Sequence, residues 1–493
     1  MKSSIAPFHQ RESADVLIVP VWEGVSLGKT PGLERAARAL AATGDFKGKL
    51  GETYFLYPED AVEPRWLLVG LGKEEKVTAE SLRRSYAAAA REVQGKQGKT
   101  ANVLPARTKK LSHEEAFKAS AEGLLLTNYA FTRLKADSVK ENPSVLLEKI
   151  VFLDAKASDE ALLSKLETIA SGVHFVRDLV NSNADDKTAP VLAKMAKEFE
   201  REHPRIQTTI LDKKKLEQEK MGLLLAVNRG SSHEPCLIIS SYKGDPESKE
   251  HVVLVGKGMS YDTGGLNLKV GDGMLTMKCD MSGAATVLGT VKTAAALDLK
   301  VNVTAVAPIA ENCIDAHSYK PGDVYHSHSG KTVEITNTDA EGRLILADAM
   351  SYAVEHLHPS CMIDVASLTG AIVIALGEEI AGLFAADDVL SKELMSASSA
   401  VGELLWAMPV HDDYRESMKS EIADLINSGS RDGSSIKAAL FLQEFVKDVP
   451  WAHIDFAGTC YLSKPKHYYT TKASGFGVRL LIEFLEQKAG RTS

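Results

Sequence analysis

The 493-residue chain has no apolar run of membrane-spanning length, and its first residues hold no signal-peptide core. The apolar run Val16-Leu17-Ile18-Val19 is cut by Pro20 and reads as a strand. No membrane partner and a cytoplasmic location are expected. The five cysteines (Cys236, Cys279, Cys313, Cys361, Cys460) are scattered without a C-x-x-C pair. That pattern suits free thiols in a reducing compartment rather than a disulfide framework. Repeats of fixed period are missing, and so is any Gly/Ser- or Pro-rich spacer, which excludes a solenoid and a flexible interdomain linker.

What is present is ordinary for a soluble protein: 44% apolar and 25% charged residues. The length calls for two or more domains. The formal charge of −8 is unevenly spread: residues 1–150 carry 23 basic against 19 acidic side chains, and residues 151–493 carry 35 against 47. An acidic second part argues against a nucleic-acid groove and suits a site that collects cations. The small basic excess of the first part leaves little for an anionic partner.

The expected fold class is α/β, with two domains, each a mixed or mostly parallel sheet flanked by helices. The boundaries are 1–165 for a non-catalytic domain with an oligomeric or regulatory role, and 166–493 for a catalytic domain. In the first, Asp15–Val19, Trp66–Gly70 and Ile150–Leu153 read as strands. Gly32–Ala42 and Ala79–Val93 read as helices, the latter capped by Thr78. Gly70-Leu71-Gly72 is a G-x-G, but Lys73-Glu74-Glu75-Lys76 follows, so a strand-end turn is preferred to a phosphate cradle. In the second, Val/Ile/Leu runs at 207–211, 237–240, 252–255, 301–307, 333–336, 362–366 and 453–456 suggest strands covered on both faces. Helical patterns at 213–220, 282–297, 344–356 and 436–445 separate them.

Chemistry concentrates in a few stretches. Asn337-Thr338-Asp339-Ala340-Glu341-Gly342-Arg343-Leu344 follows an apolar run and opens a helical pattern. Asp339 and Glu341 can converge on one hard cation, with Arg343 holding an anion beside it. A helix N-terminus favouring two acids is the alternative, and the stretch alone leaves both open. Upstream, Gly256-Lys257-Gly258 and Asp262-Thr263-Gly264-Gly265 leave the buried strand at 252–255, and Asp280 precedes a helix of small residues. Crowding Asp262, Asp280, Asp339 and Glu341 without cations costs several kcal/mol of repulsion. Two divalent ions, roughly 3.5–4 Å apart, relieve it and create a hydrolytic centre.

The stretches VGKG, YDTGG, LNLK, MKCDM and NTDAEGRL resemble the leucyl aminopeptidases, the dinuclear-metal cytosol aminopeptidases. RDLVN, MGLLLAV, YKPGDV and SLTGA sit in the expected order, so the resemblance runs from about Phe175 to the C-terminus. It implies Asp262 and Glu341 bridging two ions, Asp339 completing one and Lys257 with Asp280 the other. It implies Lys269 and Arg343 as catalytic residues, bicarbonate held by Arg343 as proton shuttle, and Met277, Asn337, Leu368, Thr369 and Gly370 with Lys269 at the substrate. The implied cofactors are two manganese or zinc ions and bicarbonate. The implied activity is release of N-terminal residues, leucine preferred, from peptides with a free N-terminus by a two-metal-activated hydroxide, in a homohexamer. Departures at Tyr261, Val270-Gly271 and Cys279 bear on pocket shape. Two rival readings are a different dinuclear hydrolase such as a phosphoesterase, whose sites usually use several histidines that this motif set lacks, and a DNA-binding regulator acting through the first domain, against which the charge balance argues.

Two other motifs are weaker. His326-Ser327-His328 has strand-like spacing but no third ligand nearby, so a solvated loop pair is preferred. Ser367-Leu368-Thr369-Gly370 lacks the G-x-S-x-G pattern of a nucleophile and reads as a helix-start turn lining the pocket.

Overall fold

Short Val/Ile/Leu segments, buried on both faces, build two sheets clothed in helices. This computed structural model describes residues 1–24, 40, 43–136 and 144–490. The helix expected over Gly32–Ala42 lies outside these, apart from Leu40. Two compact units emerge: Met1–Ser171 with Lys464–Lys472, and Gly172–Ser463 with Ala473–Ser493. The helix Asp159–Asn181 runs through the division.

The first unit holds a six-stranded sheet in the order Lys2–Ala6, Lys149–Leu153, Thr100–Val103, Val16–Val21, Trp66–Gly70, Thr53–Leu56. Only the last pair is antiparallel. Three of these strands escape a reading by hydrophobic runs. Lys2–Ala6 and Thr53–Leu56 are edge strands with no fully buried residue, and Thr100–Val103 is only four residues long. Thr78 caps Ala79–Gly95 through a reciprocal pair with Ser81, at 3.1 and 3.0 Å. A Cβ on Gly70 would lie 2.0 Å from the Lys49 carbonyl oxygen, so the turn after Trp66–Gly70 is filled by its own chain.

The second unit is built on a nine-stranded sheet. The order runs Leu404–Ala407, Ile380–Ala385, Trp451–Asp455, Cys361–Ala366, His251–Gly256, Asn302–Asn312, Cys236–Lys243, Ile206–Leu211, and Gly258–Asp262 pairs with the end of Asn302–Asn312. The four central strands, 451–455, 361–366, 251–256 and 302–312, are parallel, so their C-terminal ends share one edge. Val253 and Val255 join the core containing residues of Gly342–Leu357 and Ser434–Gln443. Strand alternation turns Val252 and Leu254 to the other face, where Ser282–Ala296 packs.

One expected strand belongs elsewhere. Thr332–Glu334 pairs with Val324–His326 and Leu425–Ile426 in a separate three-stranded sheet. Three residues, one of them buried, are too few to take a central place in the large sheet.

Ser282–Ala296 comes unusually close to the sheet. A Cβ on Gly283 would stand 2.1 Å from the Val365 carbonyl oxygen and 2.6 Å from the Lys257 amide nitrogen. Gly283→Ala is expected to destabilise the protein by about 1–3 kcal/mol through overpacking. A lowered urea midpoint in equilibrium denaturation would register this; an unchanged midpoint would show the helix free to back away.

Candidate metal centre

The four parallel strands deliver polar residues to one edge of the sheet. Lys257 follows 251–256, Asn312 ends 302–312, Ser367 follows 361–366 and Asp455 ends 451–455. Ligands of open α/β sheets bind at such carboxyl ends. Gly258–Asp262 continues from Lys257 and places Asp262 beside Asn312. Asp280 and Glu341 arrive from the loops before the helices Ser282–Ala296 and Gly342–Leu357, whose positive N-terminal ends suit carboxylates.

Asp262, Asp280 and Glu341 are buried, and each offers a carboxylate oxygen within 4.8 Å of the others. Lys257 Nζ lies 2.8 Å from Asp280 Oδ2 and 2.9 Å from Glu341 Oε1, and donates to the Ser367 carbonyl at 3.1 Å. Lys269 Nζ lies 2.8 Å from Asp262 Oδ2 and 2.6 Å from Asp339 Oδ1. Asp339 is the most open of the four acids, its side chain 34% exposed. Asp280 does not cap its helix: Met281 holds that position, and the Asp280 carboxylate turns instead to Lys257 and to the Ser367 hydroxyl, which donates at 2.7 Å.

Four carboxylates thus face two ammonium groups. Burial, and then Asp262, push Glu341 up to about 8, and burial pushes Asp280 up to about 6. Asp339 is raised as well, chiefly by burial. Burial opposes the charge on Lys257, but Asp280, Glu341 and Asp262 outweigh it and hold the ammonium above its ordinary range. Lys269 is raised similarly, by Asp262 and Glu341 against burial. Glu341 Oε2 is buried with no hydrogen-bond partner. An excess of negative charge with an unsatisfied carboxylate oxygen is the condition a divalent cation relieves, so the donor set fits metal.

The remaining expected residues sit as follows. Arg343, in the first turn of Gly342–Leu357, is buried; its terminal nitrogen donates to the Asn427 carbonyl at 2.8 Å while Nε has no partner. Burial lowers it to about 10. A Cβ on Gly342 would lie 2.4 Å from Lys257 Cε, which explains the glycine between the acid and the arginine. The Asn337 side-chain oxygen accepts from the Asp339 amide at 2.9 Å. The Leu368 amide and the Thr369 hydroxyl donate to Asp455 at 3.1 and 2.6 Å, and Thr369 caps Gly370–Leu376, so the helix-start turn of Ser367–Gly370 borders the acids through Ser367. Met277 is half-buried and tied to the cluster through its backbone, its carbonyl accepting from the Asp280 amide at 3.3 Å.

The family models account for both units. The model described as "Cytosol aminopeptidase family, catalytic domain" matches residues 174–482, and that described as "Cytosol aminopeptidase family, N-terminal domain" matches residues 18–138. The chain belongs to the cytosol aminopeptidase family. It is an aminopeptidase, a peptidase hydrolase. It is 52% identical over 483 residues to a "Probable cytosol aminopeptidase" of Protochlamydia amoebophila, covering 97% of each chain. It is 44% identical to another of that name from Chlamydia trachomatis serovar D, covering 98% of each. Among solved structures, a tomato leucine aminopeptidase mutant superposes with a TM-score of 0.87 at 33% identity, over 98% of this chain and 96% of that one. The bottromycin maturation enzyme BotP in complex with Mn gives 0.87 at 32%, over 97% and 100%. Among the described residues, no helix of this aminopeptidase is long and apolar enough to cross a membrane.

Several residues that shape the site carry no motif. Asn427 is fully buried; its side-chain oxygen accepts from the Thr336 and Asn337 amides at 2.9 and 3.2 Å, and its amide donates to the Asn337 carbonyl at 2.7 Å. Asn312 donates to Asp262 Oδ1 at 2.8 Å and to the Thr338 carbonyl at 3.0 Å. The signal for Asn312 was the one used elsewhere, a polar residue ending a long apolar strand; Asn427 had none. Residues that orient ligands are worth about 10–100-fold in affinity or activity. Asn427→Ala is expected to lower kcat/KM by that order with the circular-dichroism spectrum unchanged. An unaltered kcat/KM would show that loop 336–340 holds its shape without Asn427.

Proposed function

We propose that this aminopeptidase binds two divalent ions, manganese or zinc, and releases N-terminal residues, leucine preferred, from peptides with a free N-terminus. The observation that carries it is the buried excess of carboxylate over ammonium at the sheet's carboxyl edge. Asp262, Glu341, Asp339, Asp280 and Lys257 are the residues that would hold the ions. The Mn complex of BotP favours manganese. Lys257 would have to give up its proton to serve as a ligand, a loss that the field of bound divalent cations would favour. When bound, the ions supply Lewis acidity and acidify the attacking water.

The chain's own groups do the rest. Lys269, held between Asp262 and Asp339, keeps its charge and stabilises the oxyanion that develops at the scissile carbonyl. Leu368, Thr369 and Gly370 with Met277 and Asn337 line the substrate. Arg343 stays protonated and so cannot act as base. Its unpartnered Nε and the terminal nitrogen that does not bond Asn427 form a fork suited to a planar oxyanion. That fork would hold bicarbonate, whose acid–base chemistry suits carrying a proton from water to the leaving amine. Among the described residues, the carboxylate cluster lies wholly in the second unit, which supports a non-catalytic role for the first.

Turnover of leucyl-p-nitroanilide by metal-stripped enzyme, re-tested with each metal, is the central experiment. Manganese or zinc should restore it in the wild type and fail to do so in Asp262→Asn and Glu341→Gln, which should also bind less metal. Full activity in either variant at unchanged metal content would refute the dinuclear assignment.

N-Acetyl-leucyl-p-nitroanilide should resist cleavage, since acetylation removes the amine lone pair. Comparable kcat/KM on both substrates would mean that the free amine is not read.

Arg343→Ala should lower kcat by roughly 10²–10⁴-fold, the usual worth of a general base, with metal still bound. Added bicarbonate should speed the wild type in carbonate-depleted buffer and do little for the variant. Indifference of the wild type to depletion would assign the proton transfer to another group.

A further inference from the structure

His326-Ser327-His328 is not the solvated loop pair expected for want of a third ligand nearby. His326 is exposed at the end of Val324–His326, whereas the next turn carries the His328 side chain inward, to 4% exposure. Two contacts fix that ring in place. The His328 amide donates to Asp348 Oδ1 at 2.8 Å, and Nδ1 pairs with the Ser351 hydroxyl at 2.8 Å. Its remaining nitrogen, Nε2, faces Glu219 Oε2 at 4.0 Å, beyond hydrogen-bond reach. His356, on the last turn of Gly342–Leu357, brings its own Nε2 to 3.4 Å from the same oxygen. Glu219, His328 and His356 each offer a ligand atom within 4.8 Å of the others.

We propose that Glu219, His328 and His356 form a further metal site that takes one zinc-class divalent cation through Glu219 Oε2 and the Nε2 atoms of both histidines. The chemistry fits on three counts. Two imidazoles and a carboxylate are a zinc ligand set, and a fourth position stays open to water. Bonds of about 2.0–2.1 Å in a tetrahedron separate ligand atoms by roughly 3.4 Å; Glu219 Oε2 stands 3.4 Å from His356 Nε2 and 4.0 Å from His328 Nε2, so a small side-chain adjustment closes the set. The Nδ1 contact of His328 orients its ring as the outer partners of metal-bound histidines do.

The site is separate from the carboxylate–lysine cluster. Glu341 and His356 stand at opposite ends of one helix, about 20 Å apart at 1.5 Å per residue. A bound ion would tie that helix to the end of Lys213–Gln218 and to the turn after Val324–His326.

The test is the zinc content of intact wild-type enzyme, His356→Gln and Glu219→Gln after equilibrium dialysis at buffered free Zn²⁺. Each variant should hold one zinc per chain fewer than the wild type, however many ions the catalytic cluster takes. Leucyl-p-nitroanilide turnover should be unchanged in both variants, and zinc should raise the unfolding temperature of the wild type more than theirs. Equal zinc content in wild type and His356→Gln would overturn the site, as would a deficit in that variant accompanied by lost turnover.

Discussion

The pairing of Lys257 with Asp280 and Glu341 is the interaction on which the rest of the second unit depends. A buried ammonium keeps two desolvated carboxylates from repelling one another, and Lys269 does the same for Asp262 and Asp339. Around Lys257 the chain is pared to glycine. Gly256 and Gly283 let strand and helix backbones meet, and Gly342 leaves space for the lysine stem. Packing and electrostatics therefore converge on the same few atoms. A change that repairs one without the other leaves either a clash or an uncompensated buried charge.

The two lysines differ in where the sheet puts them. Lys257 lies under the helix N-termini among fully enclosed acids, while Lys269 sits on a loop at 17% exposure beside the most open acid. Deeper burial makes the first hard to exchange with solvent and the second accessible to a substrate. The difference in depth matches the roles proposed for the two lysines.

Much of this was legible in the sequence, for identifiable reasons. Central strands such as His251–Gly256 and Cys361–Ala366 are covered on both faces, so their composition alone marks them. Acids and lysines directly after such strands stood out, and their convergence is what the structure contains. Edge strands such as Thr53–Leu56 are half-buried and carry a mixed pattern that hydrophobic runs do not flag. Thr332–Glu334 read as a strand, but no local signal says which sheet a short strand joins. Asn427 escaped because its importance lies in contacts some 90 residues away in sequence, a property of the fold and not of its neighbours. His356 escaped for the same reason: it meets His328 and Glu219 only across three separate elements.

The position of Trp451–Asp455 between Cys361–Ala366 and Ile380–Ala385 has a consequence for how the chain is made. Both flanking strands leave the ribosome well before the strand that separates them. Until residue 455 emerges, each presents an unpaired edge, and Asn427 has only just arrived to brace the loop at 336–340. Synthesis at about 5–20 residues per second leaves those edges open for several seconds. The nascent protein thus spends that interval without an assembled centre, in need of protection from pairing its strands with the wrong neighbours.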